Sequence, residues 1–116
     1  DNGRALAERM LEEHPEGDRP DAIIVATDPM AVGVLQAFAS AGVKVPDDIA
    51  VISVNNLPIA QYTAPPLTTF DIDQHELVYA GLETLKDAIA RNRTCRHHLL
   101  ISAALVPRGS FTPAFG

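Results

Sequence analysis

The sequence contains little of what disulfide-linked, membrane-spanning or nucleic-acid-binding chains are rich in. Its 116 residues include a single cysteine, Cys95, which cannot form an internal disulfide and fits a reducing compartment. No apolar run approaches the ~20 residues that a membrane helix needs, and the first residues do not read as a signal peptide. The net charge of −6, from 15 acidic and 9 basic residues, gives these residues no electrostatic basis for binding nucleic acid. We therefore expect a globular chain that neither crosses a membrane nor contacts DNA by itself.

Patterns that support catalysis or cofactor binding are also missing from the sequence. No glycine-rich phosphate loop, Gly-x-Gly-x-x-Gly segment, Ser-His-Asp order or cysteine pair is present. Cys95, His97 and His98 could offer ligands to a soft metal, but adjacent residues of a strand point to opposite faces, so these ligands would diverge. We predict no enzyme activity, no cofactor and no metal site.

The strongest local pattern covers residues 21–30. Five apolar residues, 22–26, read as a strand buried on both faces, and Thr27-Asp28-Pro29 then opens a helix that is predicted over residues 29–41. Proline suits the first turn of a helix, and Asp28 is predicted to cap its free amides. Gly42 is the expected residue that ends the helix.

A second apolar run, residues 49–54, ends in Asn55-Asn56. The strand–helix–strand unit predicts a parallel crossover, so both strands end at the same edge of the sheet. Thr27, Asp28, Asn55 and Asn56 would then converge there and suit a small hydroxylated molecule. The alternative is that these side chains only cap helices and turns.

The remaining periodicities complete an α/β pattern, with a mostly parallel sheet flanked by helices. We predict helices over residues 4–13 and 73–91, the second with Asp73 and Glu76 in capping-box spacing and with a buried apolar face. Residues 57–66 read as irregular, residues 67–70 as a third strand, 98–101 and 104–106 as two short strands, and 111–116 as a tail. The buried face of the long helix is predicted from its apolar spacing: Leu77, Ala80, Gly81, Leu85, Ala88 and Ile89.

Four segments together resemble the lac/galactose repressor family of bacterial transcription regulators. They are residues 20–33 (Pro-Asp-Ala-Ile through Thr-Asp-Pro-Met-Ala-Val-Gly), 45–56 (Val-Pro-Asp-Asp through Ser-Val-Asn-Asn), 65–69 (Pro-Pro-Leu-Thr-Thr) and 105–110 (Leu-Val-Pro-Arg-Gly-Ser). The resemblance implies a periplasmic-binding-protein-like fold of type I, in which two α/β lobes enclose a sugar or another small effector. It also implies a helix-turn-helix headpiece ahead of these residues. The chain begins in what reads as the middle of a helix, so we expect part of a longer protein.

By position, the resemblance makes residues 1–116 the C-terminal portion of a sugar-binding and dimerisation domain. Residues 1–70 and 97–110 would belong mainly to the C-terminal lobe. Helix 74–91 would cross to the N-terminal lobe and, without it, expose its apolar face. Operator DNA would be bound only through the headpiece.

Site residues are carried over from the same resemblance. Thr27, Asn55 and Gln74 would line the effector pocket, with Asn56 beside them and Asp28 holding the turn while contacting the pocket. The Asn55-Asn56 pair stands where the family commonly has two aspartates, which leaves a neutral sugar plausible and disfavours a cationic ligand. A homodimer would form through helix 30–41 and the segment 58–62, and the residues assigned to it are Met30, Val34, Leu35, Phe38, Pro58, Ile59 and Tyr62.

Two functions are consistent with this fold. The first is a cytoplasmic repressor that responds to a small sugar-like effector. The second is a periplasmic sugar-binding protein of a transport system. The segment 65–69 and the Arg108 tail favour the regulator, because both resemble that family.

Overall fold

The computed structural model describes residues 2–92 and 98–112. Cys95 and His97, which were considered as metal ligands, and most of the expected tail lie outside the described residues. The elements follow one another as α1 (Asn2–Glu13), β1 (Ala22–Ile24), α2 (Asp28–Ser40), β2 (Ala50–Val54), a 3₁₀-helix (Pro58–Tyr62), β3 (Thr68–Ile72), α3 (Gln74–Ala90) and β4 (Ala103–Val106).

The four strands form one sheet in the order β1-β2-β3-β4. β1 pairs with β2 in parallel, with Ala22 opposite Ala50, and β2 pairs with β3 in parallel, with Ile52 opposite Thr68. The predicted parallel crossover is thereby confirmed, with α2 as the connecting helix. Strands β1, β2 and β3 consequently end at the same edge of the sheet.

Helix α2 begins and ends within one residue of its predicted bounds, 29–41. Pro29 lies in its first turn, where the missing amide costs nothing. At the other end Gly42 adopts a left-handed φ of 73°, and the amide of Val43 donates to the carbonyl of Phe38 at 2.9 Å. This glycine ends the helix because it adopts positive φ without a steric penalty.

The hydrophobic core lies between α1, α2, the 3₁₀-helix and the sheet. Helix α1 comes so close to α2 that a β-carbon on Gly3 would overlap the backbone carbonyl of Met30. Phe38, Ile49 and Leu67 are the largest fully buried apolar side chains. The remaining buried apolar residues are Ala7, Val25, Ala31, Val34, Leu35, Ala37, Val43, Val51 and Ala60.

The chain divides into two compact units, one of residues 1–71 with 105–116 and the other of residues 72–104. In the second unit, Asp73 caps α3 by accepting a 3.0 Å hydrogen bond from the amide of Glu76, as predicted. The predicted burial of its apolar face is wrong, because α3 has no buried residue. The expectation that this helix exposes apolar side chains is confirmed, and the exposed ones are Leu77, Val78, Tyr79, Leu82, Leu85 and Ile89.

Three further predictions need correction. β1 covers Ala22–Ile24 rather than 22–26, and it is not buried on both faces, because it is the first strand of the sheet and Ile24 is 71% exposed. Residues 98–101 form no strand, so β4 is the only strand described after α3. The segment 57–66 contains a 3₁₀-helix. Among the described residues, no helix is long and apolar enough to cross a membrane.

Candidate functional site

The candidate site lies at the edge where the parallel strands end. Thr27 and Asp28 follow β1, and Asn55 and Asn56 follow β2, as predicted. Asp28 contacts residues on both sides of the asparagine pair, Ser53 before it and Leu57 after it. The structure therefore brings the two polar pairs together at the type of edge where open α/β sheets bind ligands.

Asp28 is the central residue of this edge. Its side chain is fully buried, and one carboxylate oxygen accepts hydrogen bonds from the hydroxyls of Ser53 at 2.5 Å and Thr69 at 2.8 Å. The other oxygen accepts a 2.6 Å hydrogen bond from the backbone amide of Leu57. A buried carboxylate needs such donors, and its position in the first turn of α2 also places it in the favourable field of the helix dipole.

The predicted helix cap at Asp28 is wrong, because Thr27 caps α2. The backbone of Thr27 is extended and its hydroxyl oxygen accepts from the amide of Met30 at 3.4 Å. The predicted contact of Asp28 with the pocket stays a prediction; within this chain its side chain has no exposed surface, and each carboxylate oxygen already accepts a hydrogen bond. Thr27 is half-buried, and its hydroxyl can donate a hydrogen bond as well as accept the one from Met30.

Asn55 and Asn56 form a turn with two successive left-handed residues, at φ of 105° and 49°. Asparagine tolerates this region better than most residues do. The amide of Asn55 donates to the carbonyl of Phe70 at 2.8 Å, and that of Asn56 to the Thr69 hydroxyl at 3.2 Å. The turn is therefore anchored to β3 by its backbone.

The side chains of the two asparagines differ in what they contact. The Asn56 side chain accepts a hydrogen bond from Arg108 at 2.7 Å and donates one to Asp71 at 3.2 Å, so it is engaged within the protein. The Asn55 side chain is half-buried and forms no hydrogen bond with the rest of residues 2–92 and 98–112. Of the pair, Asn55 is the one whose amide is available to a ligand.

The segment after β4 connects β2 and β3 through Ser110, a role that the sequence did not predict. Ser110 is fully buried, and its hydroxyl donates to the carbonyl of Val51 at 2.6 Å and accepts from the amide of Thr68 at 2.8 Å. Its own amide donates to Pro66 and its carbonyl accepts from Val51, both at 2.9 Å. The motif at residues 105–110 contributed to the family resemblance, but its amino-acid sequence does not indicate which residues Ser110 hydrogen-bonds.

The residues predicted for the dimer interface fall into two groups. Val34, Leu35 and Phe38 are buried in the core of this chain, with at most 6% of each residue exposed, which corrects their assignment, because so little surface is left to meet a second subunit. Met30 is half-buried against the same core. The exposed group lies on the 3₁₀-helix and consists of Pro58, Ile59 and Tyr62.

Gln74 is the first residue of α3 and is exposed, in the second unit. Its role in the pocket stays a prediction. Within the described ranges, no group of three or more His, Cys, Asp or Glu side chains could hold a metal ion.

Comparison with known proteins matches residues 1–111 to the model of the periplasmic binding protein-like domain. The transcriptional regulator LacR of Lactobacillus helveticus is 38% identical over 113 residues, which are 97% of this chain and 33% of that protein. The regulator GanR of Bacillus subtilis is 40% identical over 95 residues, 81% of this chain and 29% of that protein. The chain thus spans about a third of the length of these relatives.

Solved structures give the same result. A Lactobacillus casei LacI-family regulator with bound sucrose is 31% identical with a TM-score of 0.74, over 94% of this chain and 39% of that one. The lac repressor dimer bound to operator and an anti-inducer is 29% identical with a TM-score of 0.79, over 93% of this chain and 32% of that one. The chain therefore belongs to the periplasmic binding protein-like domain family, in the form found in transcriptional regulators of the lac repressor family.

Proposed function

We propose that this chain is the effector-binding and dimerising part of a bacterial DNA-binding repressor that responds to a small sugar-like ligand. One observation carries the proposal: hydrogen bonds to the buried Asp28 hold the polar edge of the sheet, while the side-chain amide of Asn55 beside it has no hydrogen-bond partner among residues 2–92 and 98–112. A small-molecule site requires a largely pre-formed backbone and a few polar groups that are available to the ligand. The matched relatives are transcriptional regulators, which favours regulation over transport and over catalysis.

The available groups suit a neutral polyhydroxyl ligand. The Asn55 amide both donates and accepts hydrogen bonds, and the Thr27 hydroxyl donates one. Gln74 would add a second amide. Neither Thr27 nor Asn55 carries a charge that would pair with an ionic ligand. The sucrose bound to the Lactobacillus casei regulator supports a sugar as the ligand class.

The chain corresponds in this proposal to the C-terminal portion of the effector domain. The exposed apolar side chains of α3 support its assignment as the helix that crosses to the N-terminal lobe of the full-length protein, since such a surface needs a partner. Effector binding between the lobes shifts the balance between two arrangements of different operator affinity, and no chemical step is involved. Operator binding belongs to the headpiece, and the whole protein acts in the cytoplasm.

The proposed dimer contact contains fewer residues than the sequence predicted. It comprises Pro58, Ile59 and Tyr62 on the 3₁₀-helix, with Met30 at its border, and it excludes the buried residues of α2. Ile59 and Tyr62 expose apolar surface on one short element, which is typical of an interface. The lac repressor, which this chain resembles, is a dimer on its operator.

The test is a thermal-shift screen of the full-length regulator against glucose, sucrose, cellobiose and further neutral sugars. A sugar that raises Tm is then titrated calorimetrically, and its effect on operator binding is measured at fixed salt. Asn55→Ala should weaken its affinity by about tenfold, the effect of losing one good hydrogen bond to a polar group.

Gln36→Ala is the matched control, because Gln36 is an exposed amide on α2 away from the sheet edge. Equal affinities of the Asn55→Ala variant and the unchanged protein would refute the proposed pocket. A screen in which no neutral sugar alters Tm or operator affinity would refute the ligand class.

A further inference from the structure

The side chain of Asn56 lies between a cation and an anion. The guanidinium of Arg108 donates to its carbonyl oxygen at 2.7 Å, and its amide nitrogen donates to a carboxylate oxygen of Asp71 at 3.2 Å. A guanidinium only donates and a carboxylate only accepts, so the orientation of the amide is set by its two neighbours. Asparagine satisfies both at once.

Arg108 is itself fixed on the neighbouring strand. Its second guanidinium nitrogen donates to the carbonyl of Leu67 and its backbone amide to the hydroxyl of Thr68, both at 2.8 Å. The planar fork of arginine can hold two acceptors in a fixed geometry, which a lysine cannot. The bridge Arg108–Asn56–Asp71 therefore joins the end of β2 to β3 through side chains.

This bridge supports a turn in which two successive residues have left-handed backbone angles, which is uncommon even for asparagine. Asn55 and Asn56 both have positive φ, and among the residues that the structure describes only the side chain of Asn56 has hydrogen-bond partners. Backbone in this region persists where surrounding contacts over-determine it. Fixing Asn56 consequently fixes the position of its neighbour Asn55. The side-chain amide of Asn55 is the group that we assign to the ligand.

We propose that Arg108 and Asp71 are positioning residues for the effector site, acting through the neutral amide of Asn56 to hold Asn55 in place. The inference rests on the proposed function for its ligand, but the bridge itself is tested without one. It also ties the identity of residue 56 to that of residue 71. A carboxylate at position 56 would still accept from Arg108, yet it would bring a second negative charge to about hydrogen-bond distance of Asp71, where like charges repel.

The experiment is a double-substitution cycle in the full-length regulator, with Tm and the affinity for the sugar found in the screen as readouts. Asn56→Asp should lower Tm by about 2 to 4 °C, the shift expected for a loss of about 1 kcal/mol in a protein of this larger size, and weaken sugar binding by about tenfold. Adding Asp71→Asn should recover most of both losses, because the new amide at 71 can donate to the new carboxylate. Arg108→Lys should weaken sugar binding, and Asp71→Asn should not recover it.

Asp47→Asn in the Asn56→Asp background is the control, since Asp47 is an exposed carboxylate remote from the bridge. Recovery with Asp71→Asn alone supports the bridge. No recovery, or equal recovery with Asp47→Asn, overturns it. A lowered Tm with unchanged sugar affinity overturns the positioning role.

A different result tests the proposed function, so its failure can be told apart from failure of the bridge. If no sugar binds the unchanged protein, the effector assignment is refuted, whereas the Tm cycle still decides whether the three side chains act as one bridge.

Discussion

The carboxylate of Asp28 accepts a 2.5 Å hydrogen bond from the hydroxyl of Ser53, 25 positions later in the chain. The same oxygen accepts from Thr69, and the second oxygen from the amide of Leu57. One buried side chain thus joins the start of α2 to β2, to β3 and to the segment that enters the 3₁₀-helix. The polar edge of the sheet depends on this residue for its shape.

Asp28→Asn should destabilise the protein although it changes the shape of the side chain very little. An amide has one acceptor oxygen and a nitrogen that can only donate, so at least one buried partner of the carboxylate loses its acceptor. Leaving a buried donor unsatisfied costs about 1 to 3 kcal/mol of the free energy of unfolding. Urea denaturation followed by circular dichroism measures the change.

Asp47→Asn serves as the control for that substitution, because Asp47 is exposed. Its free energy of unfolding should stay within about 0.5 kcal/mol of the original. If the Asp28→Asn variant were as stable as the control, the carboxylate would not be the organising group of the edge.

The order of strands and helices was predictable, but the partners of particular side chains were not. The run 22–26 followed by Thr-Asp-Pro indicates a strand-to-helix turn from local chemistry alone. Whether Thr27 or Asp28 caps that helix depends on whether the carboxylate finds donors elsewhere, and those donors, Ser53 and Thr69, are supplied by distant strands. Such long-range pairing leaves no local pattern.

For helices α2 and α3, too, the sequence predicts the element but not its packing partners. Periodicity correctly marks an apolar face on α2 and on α3, but it does not say what covers either face. In α2 the apolar face packs against α1, β2 and the 3₁₀-helix of the same chain, and Phe38 lies in the core instead of in a dimer interface. In α3 the apolar residues are exposed, although their spacing predicts burial.

Gly3→Ala should destabilise the contact between α1 and α2. A β-carbon at Gly3 would overlap the carbonyl of Met30, and backbone on both sides leaves no flexible side chain to move aside. Overpacking of this kind costs about 1 to 3 kcal/mol. The free energy of unfolding from urea denaturation reports it.

Gly81→Ala is the matched control, because Gly81 lies within α3 and a β-carbon there meets no atom within 4 Å. Alanine favours helix over glycine by up to about 1 kcal/mol, so this variant should be as stable as the original or more stable. Equal effects of the two substitutions would show that close packing at Gly3 does not matter.

Ser110→Ala should weaken the attachment of the segment after β4 to the sheet. The hydroxyl serves the carbonyl of Val51 and the amide of Thr68, and both backbone groups lose a partner in a buried place. We expect a loss of about 1 to 3 kcal/mol in the free energy of unfolding. Hydrogen exchange should also become faster at the amide of Thr68.

The control for Ser110→Ala is Ser40→Ala, where the lost hydroxyl is exposed and donates only to the carbonyl of Gln36. That variant should unfold within about 0.5 kcal/mol of the original. Unchanged exchange at Thr68 in the Ser110→Ala variant would contradict the role assigned to the hydroxyl.

Phe38→Ala and Tyr62→Glu should separate folding from dimerisation in the full-length regulator. Phe38 is 0% exposed, so its truncation leaves a cavity and costs about 3 to 5 kcal/mol of stability. Tyr62 is 76% exposed on the 3₁₀-helix, so a charge there leaves the fold intact but opposes burial against a second subunit. Sedimentation velocity gives the oligomeric state, and circular dichroism during urea denaturation gives the stability.

The Tyr62→Glu variant should sediment as a monomer and unfold cooperatively with a midpoint that no longer depends on protein concentration, because dissociation removes the mass-action term. Glu12→Lys, an exposed charge change on α1, should leave the dimer unchanged. If Phe38→Ala instead released monomers of undiminished stability, the core assignment of α2 would be wrong. If Tyr62→Glu remained dimeric, the proposed contact through the 3₁₀-helix would be wrong.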